Sequence, residues 1–151
     1  MYSFQHLLIN LDYKVDFSEP IPKMIERLKH EHRDFESNLV QIEEKSRTNL
    51  KQAIEMLRGL GKSILRHVVE EEARIMRVIM QKSKDQSEPS IKVMQEHRQI
   101  IEFLDKTISQ LQNFPQEESA KKIRKFVEDS IKHFSEEEEI VFPLALKADS
   151  M

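Results

Sequence analysis

Six side chains in this sequence could do chemistry together: four histidines and two glutamates in a repeated pattern. Glu31-His32-Arg33 recurs as Glu96-His97-Arg98, and His67-Val-Val-Glu-Glu71-Glu recurs as His133-Phe-Ser-Glu-Glu137-Glu. The first pair is 65 residues apart (97 − 32) and the second 66 (133 − 67). The rest of the chain repeats poorly, so the preserved part is polar, which core packing alone would not demand. In each His-x-x-x-Glu the two side chains share one helical face, one turn apart.

Mixed imidazole and carboxylate donors suit iron, manganese or zinc. Burying unpaired carboxylates costs several kcal/mol each, and no Lys or Arg falls on the apolar stripes nearby to neutralise them. Two carboxylates shared among four imidazoles favour two ions, each with two His, bridged by both Glu. A lone inward His is more often a hydrogen-bonded core residue, but four His and two Glu at matched spacing are a ligand set. His6 and His30 read as surface residues; His30 points about 200° away from His32 on an ideal helix. Glu136, Glu138 and Glu139 read as a solvated face, the Met residues as core filler, and Glu36 as a spare group outside the set.

The elements that must carry these residues are helices. Apolar residues recur at three and four along four stripes. These run from Ile21 through Leu28 and Phe35 to Ile42, from Leu50 to Ile79, from Ile91 through Met94, Ile101 and Leu104 to Leu111, and from Ile123 to Val141. Punctuation falls at Ser46–Asn49, Lys82–Ser90 and Asn113–Gln116. Short connections imply antiparallel neighbours, hence an all-α, up-down-up-down four-helix bundle. Residues equidistant from a turn lie at one height. The midpoint of His32 and His67 falls in the first turn, and that of His97 and His133 on Pro115; that of His67 and His97 falls at Lys82, the start of the Lys82–Ser90 connection, a looser match. All four helices can therefore bring a His to one level. Pro20 and Pro22 suit a first turn, and Pro143 is expected to end or kink the last helix. Gly59 and Gly61 make a kink possible in the second helix. Residues 1–19 show no period and read as an N-terminal arm, with 20–148 as the bundle domain.

Composition narrows the function classes. The 151 residues fit one domain and contain no Cys, which excludes disulfides, thiolate zinc sites, Cys-ligated clusters and a cysteine nucleophile. A formal net charge of −3, from 24 basic and 27 acidic residues, gives no push toward nucleic acid or an anionic membrane. No secretory or membrane-spanning pattern is visible, so the expected setting is cytoplasmic.

These residues resemble the hemerythrin-like (HHE cation-binding) family of four-helix bundles with a non-haem di-iron centre. The match spans about residues 20–145 and rests on Glu31-His32-Arg33, His67 with Glu71, Glu96-His97-Arg98, and His133 with Glu137 followed by Ile-Val-Phe142-Pro143. The resemblance implies His32, His67, His97 and His133 as iron ligands, with Glu71 and Glu137 bridging an oxo- or hydroxo-linked iron pair; zinc or manganese fit the same donors. The oxygen-carrying members place a further His where this chain has Val93, and an Asp one residue after Glu137. The four-His, two-Glu set is closer to di-iron proteins that repair iron–sulfur centres, which carry an additional Cys-containing domain. Ferritin-like sites need Glu-x-x-His; here the residues three before each His are Lys29, Ile64, Met94 and Ser130. The implied function is handling oxygen, nitric oxide or peroxide, in sensing, detoxification or iron-centre repair. The alternative is a metal-dependent sensor or interaction domain without turnover, and the third option a metal-free interaction bundle. No side chain presents itself as a catalytic acid, base or nucleophile, and the redox partner is undefined.

Overall fold

The computed structural model describes residues 14–151, so His6, Tyr2, Tyr13 and most of the expected arm lie outside the described residues. Four rods form an up-down-up-down bundle, and the described residues contain no strand. α1 is Ile21–Ser46. α2 runs over 50–82: a helix Leu50–Glu70, a π-helical turn Glu71–Met76 and a final piece Arg77–Lys82. α3 runs over 88–110, as Glu88–Glu102, a π-helical turn Phe103–Thr107 and Ile108–Gln110. α4 runs over 116–149, as Gln116–Glu136, a π-helical turn Glu137–Val141 and Phe142–Asp149.

The ends follow local chemistry. Pro20 caps α1 with Pro22 in its first turn, where a missing N–H leaves nothing unsatisfied. Asn49 caps α2, its side-chain oxygen accepting from the Gln52 N–H at 3.1 Å. The Gln116 amide donates to the Arg47 carbonyl at 3.1 Å, tying the α1–α2 and α3–α4 turns together at one end of the bundle. Residues 14–20 are non-helical and are held by Arg74, which donates to the carbonyls of Asp16 (2.7 Å) and Glu19 (2.6 Å).

Three local expectations are refined. Pro143 neither ends nor breaks α4: the π-helical turn precedes it, and the helix resumes with Pro143 in a fresh first turn. The helix of α2 passes through Gly59 and Gly61 within Leu50–Glu70. On α3, Ile91 is exposed and Met94 only half-buried, whereas Val93, His97, Ile100 and Ile101 are buried. The inward stripe is rotated by one position, because the i, i+4, i+7 row through His97 sets the face.

The buried side chains fall into two apolar clusters. One holds Phe35, Leu39, Ile42, Leu57, Ile64, Val68, Ile101, Leu111, Ile123 and Phe134, toward the two short turns. The other holds Ile21, Met24, Leu28, Ile75, Ile79, Val93, Val141, Phe142 and Ala145, toward the opposite end. On every rod the expected ligand residues sit where one cluster gives way to the other.

Candidate metal centre

The fold delivers the six expected residues to that boundary layer. His32, His67, His97, His133, Glu71 and Glu137 are each at most 3% exposed. Height follows from distance to the turns; direction follows from each rod's apolar stripe. Both π-helical turns flanking the layer begin at a shared carboxylate, Glu71 on α2 and Glu137 on α4. Such turns insert an extra residue and re-aim the side chains around it.

Each carboxylate faces both pairs of rings. Glu71 Oε2 lies 3.0 Å from His67 Nε2 and 3.7 Å from His32 Nε2, while its Oε1 lies 3.2 Å from His97 Nε2. Glu137 Oε1 lies 3.0 Å from His133 Nε2 and 3.4 Å from His32 Nε2, and its Oε2 3.5 Å from His97 Nε2. Two four-residue groups therefore have ligand atoms close enough to share one ion each: His32, His67, Glu71, Glu137, and Glu71, His97, His133, Glu137. Cis ligands about 2.1 Å from one ion sit roughly 3 Å apart, the scale of these separations.

A family model, the hemerythrin HHE cation binding domain, matches residues 18–145. The chain belongs to the hemerythrin family. No curated protein and no solved structure is similar enough to this HHE domain to count as a match.

The donor set of the HHE domain fits metal on three observations. All four oxygens of Glu71 and Glu137, with His97 Nε2, are buried without a hydrogen-bond partner among the described residues; such orphans are rare in native proteins unless an ion or water meets them. His32 and His67 point their Nε2 atoms at each other, 3.0 Å apart. Third, every Nδ1 is already committed. His32 Nδ1 contacts Glu138 (2.7 Å), His67 Nδ1 Glu31 (2.8 Å), His97 Nδ1 Glu72 (2.8 Å) and His133 Nδ1 Glu96 (2.9 Å). A carboxylate only accepts, so each Nδ1–H donates, and each Nε2 is the nitrogen left to offer a metal its lone pair once its own proton is displaced.

These four outer carboxylates are what sequence reasoning missed. Glu138 in particular is no solvated residue: it binds the His32 ring, and Arg33 braces the same oxygen at 2.5 Å. Each stands next to an expected ligand in the repeated motif, Glu31 and Glu96 before a His, Glu72 and Glu138 after a Glu. The repetition of these neighbours was the available signal. Arg27 joins Glu31 (2.7 Å) to Glu19 (2.8 Å) and to the buried Glu70. In the other half Lys92 and Glu136 stand at the matching positions and pair at 3.3 Å. Glu36 pairs with Arg33 at 2.8 Å, and His30 is exposed, both outside the layer as expected.

In the metal-free protein, protons take the place of the cations. Burial pulls the His32 ring down, but the facing carboxylates of Glu137 and Glu71 overcome it and hold it up at about 10. Burial likewise opposes, and Glu137 with Glu96 overcomes, at His133, which is held at about 9. His67 and His97 are raised for the same reason. Burial and repulsion from Glu137 push Glu71 up, yet His67 and His32 bring it to about 2; Glu137 is lowered too, chiefly by His133.

Proposed function

We propose that the HHE domain holds two iron ions and handles a small diatomic or peroxidic ligand: oxygen, nitric oxide or hydrogen peroxide. His32 and His67 would bind one ion, His97 and His133 the other, and Glu71 and Glu137 both. The observation that carries the reading is the pair of buried, hydrogen-bond-free carboxylates, each facing imidazoles of both groups. When bound, iron supplies redox chemistry and open positions for a small ligand.

The chain's own residues do three things. The six donors hold charge that the apolar interior would otherwise reject. Glu31, Glu72, Glu96 and Glu138 fix the ring tautomers and raise ring basicity through Nδ1. Phe134 stacks on His32 at 4.4 Å, Phe142 lies parallel to it at 5.7 Å, and Phe35 meets His67 edge-on at 5.2 Å, which keeps water from that half of the layer. Val93, buried one turn before His97, adds no donor, so both positions are left with two His and two shared Glu. Coordination more open than in an oxygen carrier favours fast autoxidation over reversible oxygen storage.

Metal analysis with an optical spectrum of aerobically purified protein tests this. Two irons per chain with near-ultraviolet charge-transfer bands support it, and His32→Ala should leave one ion whereas Glu71→Ala, removing a shared ligand, should lose both. One zinc per chain, or a stable reversible oxygen adduct with slow autoxidation, would refute it.

A further inference from the structure

The two halves of the repeat differ beside the second pair of rings. By the offsets of 65 and 66, Phe35 on α1 corresponds to Ile100 on α3, and Ile64 on α2 to Ser130 on α4. In the first half, Phe35 covers His67 and Ile64 is buried. In the second half both residues are smaller, and a cleft of about 500 Å³ between α3 and α4 reaches His133 and Glu96. Small-molecule sites have this size.

The lining has a definite chemistry. Phe103 and Phe126 stack at 4.1 Å and 10°, and with Ile100 give the cleft an apolar wall. Phe103 and Thr107 bound the π-helical turn of α3, so that turn borders the cleft too. Ser130 Oγ is buried at the cleft with no hydrogen-bond partner among the described residues. At the rim, Lys125 pairs with Asp129 (2.8 Å) and Lys92 with Glu136 (3.3 Å). Lys122 lies over the Phe114 ring at 4.9 Å, and Lys132 makes no ion pair among the described residues. Two ammonium groups and one buried hydroxyl are therefore donors without an anionic partner, beside an aromatic wall.

We propose that this cleft binds a small aromatic carboxylate, its ring on Phe103, Phe126 and Ile100 and its carboxylate accepting from Ser130 Oγ and a rim lysine. The alternatives are a water-filled groove and a site for neutral aromatics. The inference uses the cleft alone and holds whichever ions His133 meets, so its failure and failure of the iron reading are separate results.

The test is calorimetric titration of the metal-loaded, full-length protein with 1-naphthoate, and with 1-naphthalenemethanol as the neutral counterpart. Saturable one-site binding of 1-naphthoate with Kd below about 1 mM is expected, with the alcohol at least about tenfold weaker. Ser130→Ile and, independently, Ile100→Phe install the first half's residues and fill the cleft, so each should weaken 1-naphthoate by about tenfold or more. Circular dichroism and melting check that each variant folds, and the one that does so decides. No saturable binding, equal binding of the alcohol, or full affinity in a folded cleft-filled variant would overturn the proposal.

Discussion

Loading two divalent ions into the metal-free HHE domain at pH 7 should expel about three protons. A ring that binds metal through Nε2 must be neutral there. With an ordinary value of 6.5, each ring would be about one-quarter protonated at pH 7, and four rings together would release about one proton. The carboxylate cage changes that count. His32 is held at about 10 and His133 at about 9, and His67 and His97 are raised as well; His32 and His67 meet Nε2 to Nε2 at 3.0 Å, so that pair shares one inward proton and the metal-free site carries about three. Each proton released makes binding about tenfold tighter per pH unit, so affinity for the pair should fall steeply as the solution is acidified. The assay is calorimetric titration of zinc, which is redox-silent, in two buffers of equal pH and different ionisation enthalpy; the difference in apparent heat counts the protons. Two protons or fewer for the loaded pair would refute the claim that the carboxylates hold the rings charged.

The same groups set a pH dependence of opposite sign for the metal-free fold. Folded-state values raised above 6.5 contribute stability that is complete below that pH and is lost as pH climbs through about 9 to 10, while the lowered Glu71 contributes above 4.5 and is lost toward about 2. The metal-free melting temperature should therefore fall between pH 6.5 and 10 while that of the loaded protein does not; a flat metal-free profile would count against the ion-pair network. Glu138→Gln weakens the acceptor on His32 Nδ1 and should lower metal affinity by about 10- to 100-fold without unfolding the bundle, read by competition with a chelator; unchanged affinity would make that contact dispensable. Gly59→Ala meets no atom within 4 Å of the added Cβ in the middle of α2, so it should stabilise by about 1 kcal/mol in chemical denaturation; a loss of stability would mean that α2 needs the glycine.

What was legible from residue order was whatever has a period or a spacing. The four rods follow from apolar recurrence at three and four, because a helix repeats every 3.6 residues. The common height of His32, His67, His97 and His133 follows from short turns, because antiparallel neighbours align residues equidistant from the connection. His67 with Glu71, and His133 with Glu137, follow from the i, i+4 geometry of one helix. The tertiary structure decided what depends on contacts between rods. Glu138 looks like one member of an acidic surface run, and only the packing of α4 against α1 turns it onto His32. The π-helical turns at Glu71 and Glu137 left no mark in residue order, since the apolar recurrence at three and four reads the same through one wide turn. The one-position rotation of the α3 stripe was decided there too: Val93 and Met94 are both apolar, and which of them is buried depends on the neighbouring helices. The cleft beside His133 was decided at that level too, because an empty volume belongs to no residue and exists only where Ile100 and Ser130 leave the space between two packed helices unfilled.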